Sequence, residues 1–119
     1  MRFPDSELLA VGLLKATVSP VRVVTRVPSP RPDEFVRVWR TGGAAANRVL
    51  DQPMITVQAW GANADELARK CREAFLHNYS ILALVRGVEE VTGPYQDPDP
   101  GSGVERVTFT MQLQVRAAR

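Results

Sequence analysis

A glycine-rich stretch, TGGAAANR from Thr41 to Arg48, is the segment whose composition invites a phosphate-binding interpretation. A P-loop needs a lysine followed by serine or threonine at a helix start, and a dinucleotide-binding turn needs three spaced glycines. This stretch has no lysine, and Gly42 and Gly43 are its only glycines. It therefore predicts a loop between two strands. Its length favours a mobile loop ordered by a protein partner over a plain connector.

The nucleophilic and titratable side chains form no recognisable catalytic set. His77 is the only histidine and Cys71 the only cysteine, so the chain cannot supply a cysteine-and-histidine zinc site alone. We expect Cys71 to be a small core residue. We expect His77 to lie at the end of a helix, where a positive charge favours the helix dipole.

The carboxylates give no alternative catalytic arrangement. Glu89 and Glu90 are adjacent on a predicted strand, so their side chains point to opposite faces. Asp97 and Asp99 lie in QDPDPGSG, whose proline, aspartate and glycine residues favour a turn over a weak cation site. The sequence therefore predicts no enzyme, no cofactor and no metal site.

Composition limits the remaining functions. The 119 residues fit one domain, residues 1–119, and carry 15 basic against 13 acidic residues, a net charge of +2. This near balance does not favour a general nucleic-acid binder. One cysteine excludes an internal disulfide, and no apolar run reaches the length of a membrane span. We expect a soluble protein of the cytoplasm.

The first half of the chain predicts one helix and two strands. Asp5 is a helix cap before an apolar stripe of Leu8, Leu9, Val11, Gly12 and Leu14, and the helix should end before Pro20. Residues 21–27 and 34–40 are strand-like and are joined by the extended segment PSPRP. We expect these two strands to be antiparallel.

The second half predicts a strand, a helix and two further strands. Alternating apolar residues mark strands at 54–61 and 107–115, and GVEEVTGPY predicts a strand ending near Pro94. Asn63 with Glu66 fits a capping box, and Asn78 fits a left-handed helix stop. The predicted inner face of this helix is formed by Leu67, Ala68, Cys71, Ala74 and Phe75.

The resulting order, α-β-β-β-α-β-β, predicts an α+β fold with a mainly antiparallel sheet and both helices packed on one face. The other face of the sheet is polar but weakly charged. It faces water or lines a subunit contact, and the residues concerned are Thr56, Gln58, Thr108, Thr110, Gln112 and Gln114.

Several segments together resemble the tail terminator proteins of long-tailed (siphovirus-type) bacteriophages, particularly those infecting actinobacteria. The similar segments keep their order and span most of the chain, although none is diagnostic alone. They are MRFPDSELL, VRVVTRVPSPRPDEFVRVWRTGG, NRVLDQPMITVQAWG, ELARKCREAF, GVEEVTGPYQDPDP and RVTFTMQLQVRA.

The resemblance implies a structural virion protein that assembles with itself into a ring, commonly a hexamer. Such a ring caps the major tail tube protein at full tail length and meets the head–tail connector protein at the head-proximal end of the tail. Phage DNA passes through its channel without specific binding. A head–tail connector or tail-completion protein of the same assembly is the alternative.

Such a ring needs contact surfaces, and tryptophan and arginine are enriched at interface hot spots. We expect the contacts to come from the polar sheet face and from the glycine-rich loop. The predicted interaction residues are Arg37, Trp39, Arg40, Gly42, Gly43, Asn47, Arg48 and Trp60. Arg37 and Arg40 should point to opposite faces of their strand.

Overall fold

Residues 2–119 of the chain, described by a computed structural model, form two helices and six strands. The helices are α1 (Ser6–Val18) and α2 (Ala64–Asn78), and a short 3₁₀ helix (Tyr79–Ile81) follows α2. The strands are β1 (Arg22–Val24), β2 (Phe35–Gly42), β3 (Leu50–Asp51), β4 (Met54–Trp60), β5 (Val85–Gln96) and β6 (Arg106–Arg116). The predicted α+β fold is confirmed, with one additional short strand, β3.

Strand β6 lies at the centre of the sheet. One of its edges pairs with β4 and then with β3, which continues the line of β4, and its other edge pairs with β5. Strand β2 pairs with the outer edge of β4, and β1 pairs with β2. All of these pairings except β1 with β2 are antiparallel.

The core lies between the helices and one sheet face. On β6 the alternate residues Val107, Phe109, Met111, Leu113 and Val115 are all buried, which confirms the predicted period. The inner face of α2 is also buried as predicted, and the ring of Phe75 meets that of Phe109 edge to face at 6.2 Å.

The prediction that the first two strands are antiparallel is wrong. Strand β1 covers only Arg22–Val24 and runs parallel to β2, with Arg22 opposite Phe35 and Val24 opposite Arg37. The intervening residues 25–34 contain three prolines, at 28, 30 and 32. This segment is long enough to carry the chain back past the three-residue strand, and proline does not pair regularly in a sheet.

Two predicted features of the helices differ from the structure. Asp5 caps α1 as expected, accepting a hydrogen bond from Leu8 N at 3.1 Å, but the buried face is not the predicted stripe. Leu8 is 68% exposed, and Ala10, Leu13, Leu14 and Val18 are the apolar residues of α1 that are buried. The sequence of α1 is apolar on nearly every side, so its pattern does not select a face.

The predicted capping and stop residues of α2 also act differently. The Asn63 side chain makes no cap hydrogen bond and instead donates to Glu34 Oε2 at 3.4 Å. Asn78 is not left-handed, because its φ is −120°, and the chain continues into the 3₁₀ helix. The positive φ comes later, at Leu84 (67°), immediately before β5.

Candidate interaction surface

One face of the sheet carries no helix, and we call it the open face. Near its middle, three threonine side chains from adjacent strands form a row. Thr41 Oγ1 lies 2.9 Å from Thr56 Oγ1, which lies 3.0 Å from Thr110 Oγ1. The hydroxyl groups can satisfy one another, because each can both donate and accept.

The end of the open face near the 97–105 turn is covered by the chain itself. Asp97 Oδ2 accepts hydrogen bonds from Thr108 Oγ1 at 3.0 Å and from Gln58 Nε2 at 3.5 Å. Thr108 is only 3% exposed, and Gln58 and Thr56 are 8% exposed. These three residues therefore neither face water nor reach a neighbour directly, whereas Thr110 and Gln112 are half-buried and Gln114 is exposed.

Trp60 lies beneath this covered end rather than on the surface. Its ring stacks on Phe35 at 5.0 Å, and the guanidinium groups of Arg31 and Arg106 lie 5.2 and 5.0 Å from its centroid. It is 4% exposed, and its Nε1 has no hydrogen-bond partner within residues 2–119. A neighbouring molecule would therefore meet Trp60 through Arg31, which covers it and is exposed.

Trp39 lies on β2, and its side chain is on the open face. The guanidinium carbon of Arg37 sits 3.9 Å from the Trp39 ring centroid, and Arg37 Nε donates to Thr25 O at 3.2 Å. Both residues are half-buried. Arg40 points to the other side of the strand, as predicted, so the Arg37–Trp39 pair is a fixed, amphipathic feature of the open face.

Arg40 is a structural clamp in the isolated chain. Its Nη1 and Nη2 donate to the two carboxylate oxygens of Asp51 at 2.9 and 3.2 Å. Its Nε and Nη2 also donate to the carbonyls of Gly42 and Gly43 at 3.0 and 2.8 Å, and its backbone N–H donates to Glu7. Arg40 thus joins β2, the loop, β3 and α1.

The glycine-rich loop is held within the chain as well. Asn47 Oδ1 accepts hydrogen bonds from the backbone of Val49 and Leu50 at 2.9 and 3.0 Å. Gly43 has φ 86°, and a Cβ there would press against the carbonyl of Gln52 and lie 2.8 Å from Met54 N. The glycine serves a close backbone approach, so the loop has several contacts within its own chain. Its role in binding stays a prediction.

Two titratable groups of residues 2–119 show how their surroundings shift a pKa. Burial raises the pKa of the Cys71 thiol to about 12, which makes it a poor nucleophile at neutral pH. Hydrogen bonds from Ser102 hold the pKa of Asp99 below its ordinary value, with Arg106 and Arg31 adding to the effect. Within residues 2–119 no group of three or more acidic, histidine or cysteine side chains is placed to bind a metal ion.

Neither helix of the described chain is long and apolar enough to cross a membrane. His77 lies in the last turn of α2, as expected. Glu90 faces α2 and pairs with Arg72 at 2.5 Å, while Glu89 is exposed, so the two carboxylates point apart as predicted.

Sequence reasoning missed Asp51 and Asp97, the two carboxylates that organise the surface. Asp51 is 4% exposed. Nothing in the sequence distinguishes it from an ordinary loop residue, because its partner Arg40 lies eleven positions away. Asp97 was assigned only to a turn. No local pattern marks either contact, since each depends on which strands become neighbours.

Comparison with known proteins supports one family. The family model described as "Phage tail termination protein" matches residues 2–119. A chain of the solved structure "Virion of native gene transfer agent (GTA) particle" is similar in fold, with a TM-score of 0.63 and 16% identity over 87% of this chain and 84% of that chain. A search of curated proteins gives no match. Since the family model covers nearly the whole sequence, the chain belongs to the family of phage tail termination proteins.

Proposed function

We propose that this protein is a ring-forming tail terminator. Copies of the chain close into a ring, a hexamer, that caps the tail tube, stops addition of the major tail tube protein and offers a surface to the head–tail connector. The observation that carries this proposal is the family match over residues 2–119. The ring would be assembled in the host cytoplasm and remain at the head-proximal end of the virion tail.

The described surface is compatible with this work. A closed ring uses two different patches on each subunit, one meeting the other on the neighbour. The open face supplies a rigid patch with an aromatic centre, because Arg37 fixes Trp39 and the threonine row fixes the strands beside it. Rigid aromatic side chains are favourable contact residues, since little side-chain entropy is lost on binding.

The role requires neither catalysis nor a cofactor. Terminator action is steric and depends on the ring occupying the end of the tube. A channel for DNA should avoid tight phosphate binding, and the net charge of +2 fits that requirement.

The capping assay tests the proposal directly. Purified tube protein is allowed to polymerise with and without this protein, and tube lengths are measured by electron microscopy. We expect shorter tubes with a ring at one end. Tubes that elongate unchanged would refute terminator activity. If the protein then binds the isolated head connector but not tube protein, the connector or tail-completion role replaces it.

The Arg37–Trp39 pair is tested in the same assay. Trp39→Ala should weaken ring assembly or capping while the protein stays folded. Leu8→Ala is the matched control, because Leu8 is an apolar side chain 68% exposed on α1, on the helix side of the sheet. Equal loss in both variants, or none in Trp39→Ala, would remove this residue from the proposed contact.

A further inference from the structure

One end of the molecule carries a basic cavity. The cavity, of about 430 Å³, has Val49 and Leu50 among its lining residues, together with the exposed arginines Arg86, Arg116 and Arg119. Arg48 and Arg2 are exposed nearby, Arg48 beside Val49 in sequence and Arg2 through its bridge to Ala118. We call these five arginines the basic end.

None of the arginines of the basic end forms a salt bridge within residues 2–119. Three carboxylates on this side of the molecule already have partners within the chain. Asp51 binds Arg40, Glu7 accepts the Arg40 backbone N–H, and Asp5 caps α1. The positive charge of the basic end is therefore left for an external partner.

The opposite end of β6 carries the complementary charge. Asp33, Glu34 and Glu105 surround Gly61. Gly61 N donates to Glu105 O at 3.0 Å, and a Cβ on Gly61 would lie 2.7 Å from Asp33 O and 3.4 Å from Glu34 Cβ. None of the three carboxylates pairs with an arginine or lysine among the residues that the structure describes. A cavity of about 260 Å³ beside them is lined in part by Glu105 and Asp65. We call Asp33, Glu34 and Glu105 the acidic end.

The two ends cannot neutralise each other within one chain. Ten residue steps along β6 separate Arg106, next to Glu105, from Arg116, which at about 3.3 Å per step is about 33 Å. Charges interact through about 8 Å of physiological saline before screening removes most of the effect. Contact between the ends therefore requires two copies.

We propose that the basic end of one copy receives the acidic end of the next, and that this head-to-tail contact sets the register between neighbouring subunits. The inference rests on the proposed ring and names the surfaces that would build it. A second copy fits better than DNA, because it supplies a partner for both unpaired ends, whereas DNA would leave the acidic end without one. Carboxylates also suit the planar, bidentate donors of arginine.

Charge reversal tests this contact. The basic-reversed variant is Arg48→Glu with Arg86→Glu and Arg116→Glu, which changes the five charges of the basic end from +5 to −1. The acid-reversed variant is Asp33→Arg with Glu105→Arg, which changes the acidic end from −3 to +1. All five side chains are exposed, so both variants should fold. Self-association is measured by analytical ultracentrifugation over a range of protein and salt concentrations. Each variant alone should require at least about tenfold more protein to assemble, because like charges then meet.

Mixing the two variants is the decisive measurement. In an alternating assembly every contact again joins opposite charges, so an equimolar mixture should regain wild-type association, and a ring with an even number of subunits can close. The control, Lys15→Glu with Lys70→Glu, lowers the net charge by 4, against 6 for the basic-reversed variant, but alters exposed helix positions. It should associate like the wild type.

The outcomes separate this contact from the proposed function. If the wild type forms rings and the reversed variants do so equally well, or if mixing restores nothing, the end-to-end contact is overturned while the terminator role stands. If rings form through these ends but tubes elongate unchanged, only the terminator role fails. A wild type that stays monomeric, alone and with tube protein, overturns both. Loss of binding to a short DNA duplex in the basic-reversed variant, with association unchanged, would identify a phosphate site instead.

Discussion

Replacing Arg40 by methionine should leave the Asp51 carboxylate buried without its counter-charge. The Asp51 side chain is 5% exposed and accepts two hydrogen bonds from Arg40, at 2.9 and 3.2 Å. Removing one partner of a buried ion pair costs about 3–5 kcal/mol. The Arg40 side chain is 34% exposed, so water can partly replace its contacts. We therefore expect a loss near the lower bound, about 3 kcal/mol in the free energy of unfolding.

Urea unfolding followed by tryptophan fluorescence measures this loss. Arg40→Lys is the matched variant, because it keeps the positive charge but cannot form two parallel bonds to Asp51 and still reach the carbonyls of Gly42 and Gly43. It should recover only part of the stability. The double variant Arg40→Met with Asp51→Asn removes the unpaired charge, so it should be less destabilised than the sum of the single variants by about 2 kcal/mol.

An Arg40→Met variant destabilised by less than about 1 kcal/mol would refute the clamp, since that is the range of an exposed pair. Additive effects of the two substitutions would refute it as well. The measurement also separates two roles of Arg40. If the residue is structural, the capping defect of its variants should follow their folded fraction, whereas a direct contact would lower capping by fully folded protein.

Three further predictions follow from local geometry. Gly43→Ala should lower the free energy of unfolding by about 2–4 kcal/mol, because Gly43 has a φ of 86° and a Cβ there would meet the adjacent backbone. Gly12→Ala, which lies in open space on α1, should raise it by about 0.5–1 kcal/mol. Chemical denaturation measures both changes, and equal effects would contradict this prediction. The Cys71 thiol, with its pKa raised to about 12 by burial, should react with a disulfide reagent at pH 8 only as fast as the protein opens, so rapid labelling would place it at the surface. The hydrogen bond from Arg72 lowers the pKa of Glu90, so its stabilisation is present above the ordinary value of 4.5 and lost as the pH falls through the lower folded-state value. Glu90→Gln should therefore remove part of the acid-induced loss of stability, and an unchanged pH profile would show that the pair contributes nothing.

The predictable parts of the fold are the elements in which apolar residues recur with the period of a helix or a strand and form one buried face. Strand β6 alternates apolar and polar residues along its length, and a strand can satisfy that pattern in only one orientation. Helix α2 has charges on one side and small or apolar residues on the other. Helix α1 lacks such a contrast, so its exposed Leu8 and buried Leu13 could be assigned only once the sheet was placed.

The features of the fold that could not be predicted depend on which strands become neighbours in the sheet. A three-residue β1 gives too little sequence to indicate its direction, and the proline-rich return made a parallel pairing possible. Strand β5 extends beyond the predicted end at Pro94, and its pairing with β6 is interrupted at three places. Such bulges, with a proline, are expected of an edge strand, because they discourage further pairing. Local propensity alone does not reveal that β5 forms an edge.

The predicted interaction residues now divide by what they already do within the chain. Arg40, the loop glycines and Asn47 form or permit contacts that hold the loop, and Trp60 is covered. The Arg37–Trp39 pair lies on the open face, whereas Arg48 is exposed and belongs to the basic end. The predicted interaction residues that remain accessible to a partner therefore lie in two separate regions of the surface, the open face and the basic end. A head-to-tail subunit contact needs two unlike surfaces on each copy, and binding to a tube or connector needs a third surface. Substitutions of Arg48 and of Trp39 should therefore have independent effects on binding. The loss of self-association in Arg48→Glu should shrink as the salt concentration rises, because it is a loss of charge attraction, while the loss in Trp39→Ala should not depend on salt. If both losses depended on salt in the same way, the two places would act as one interface.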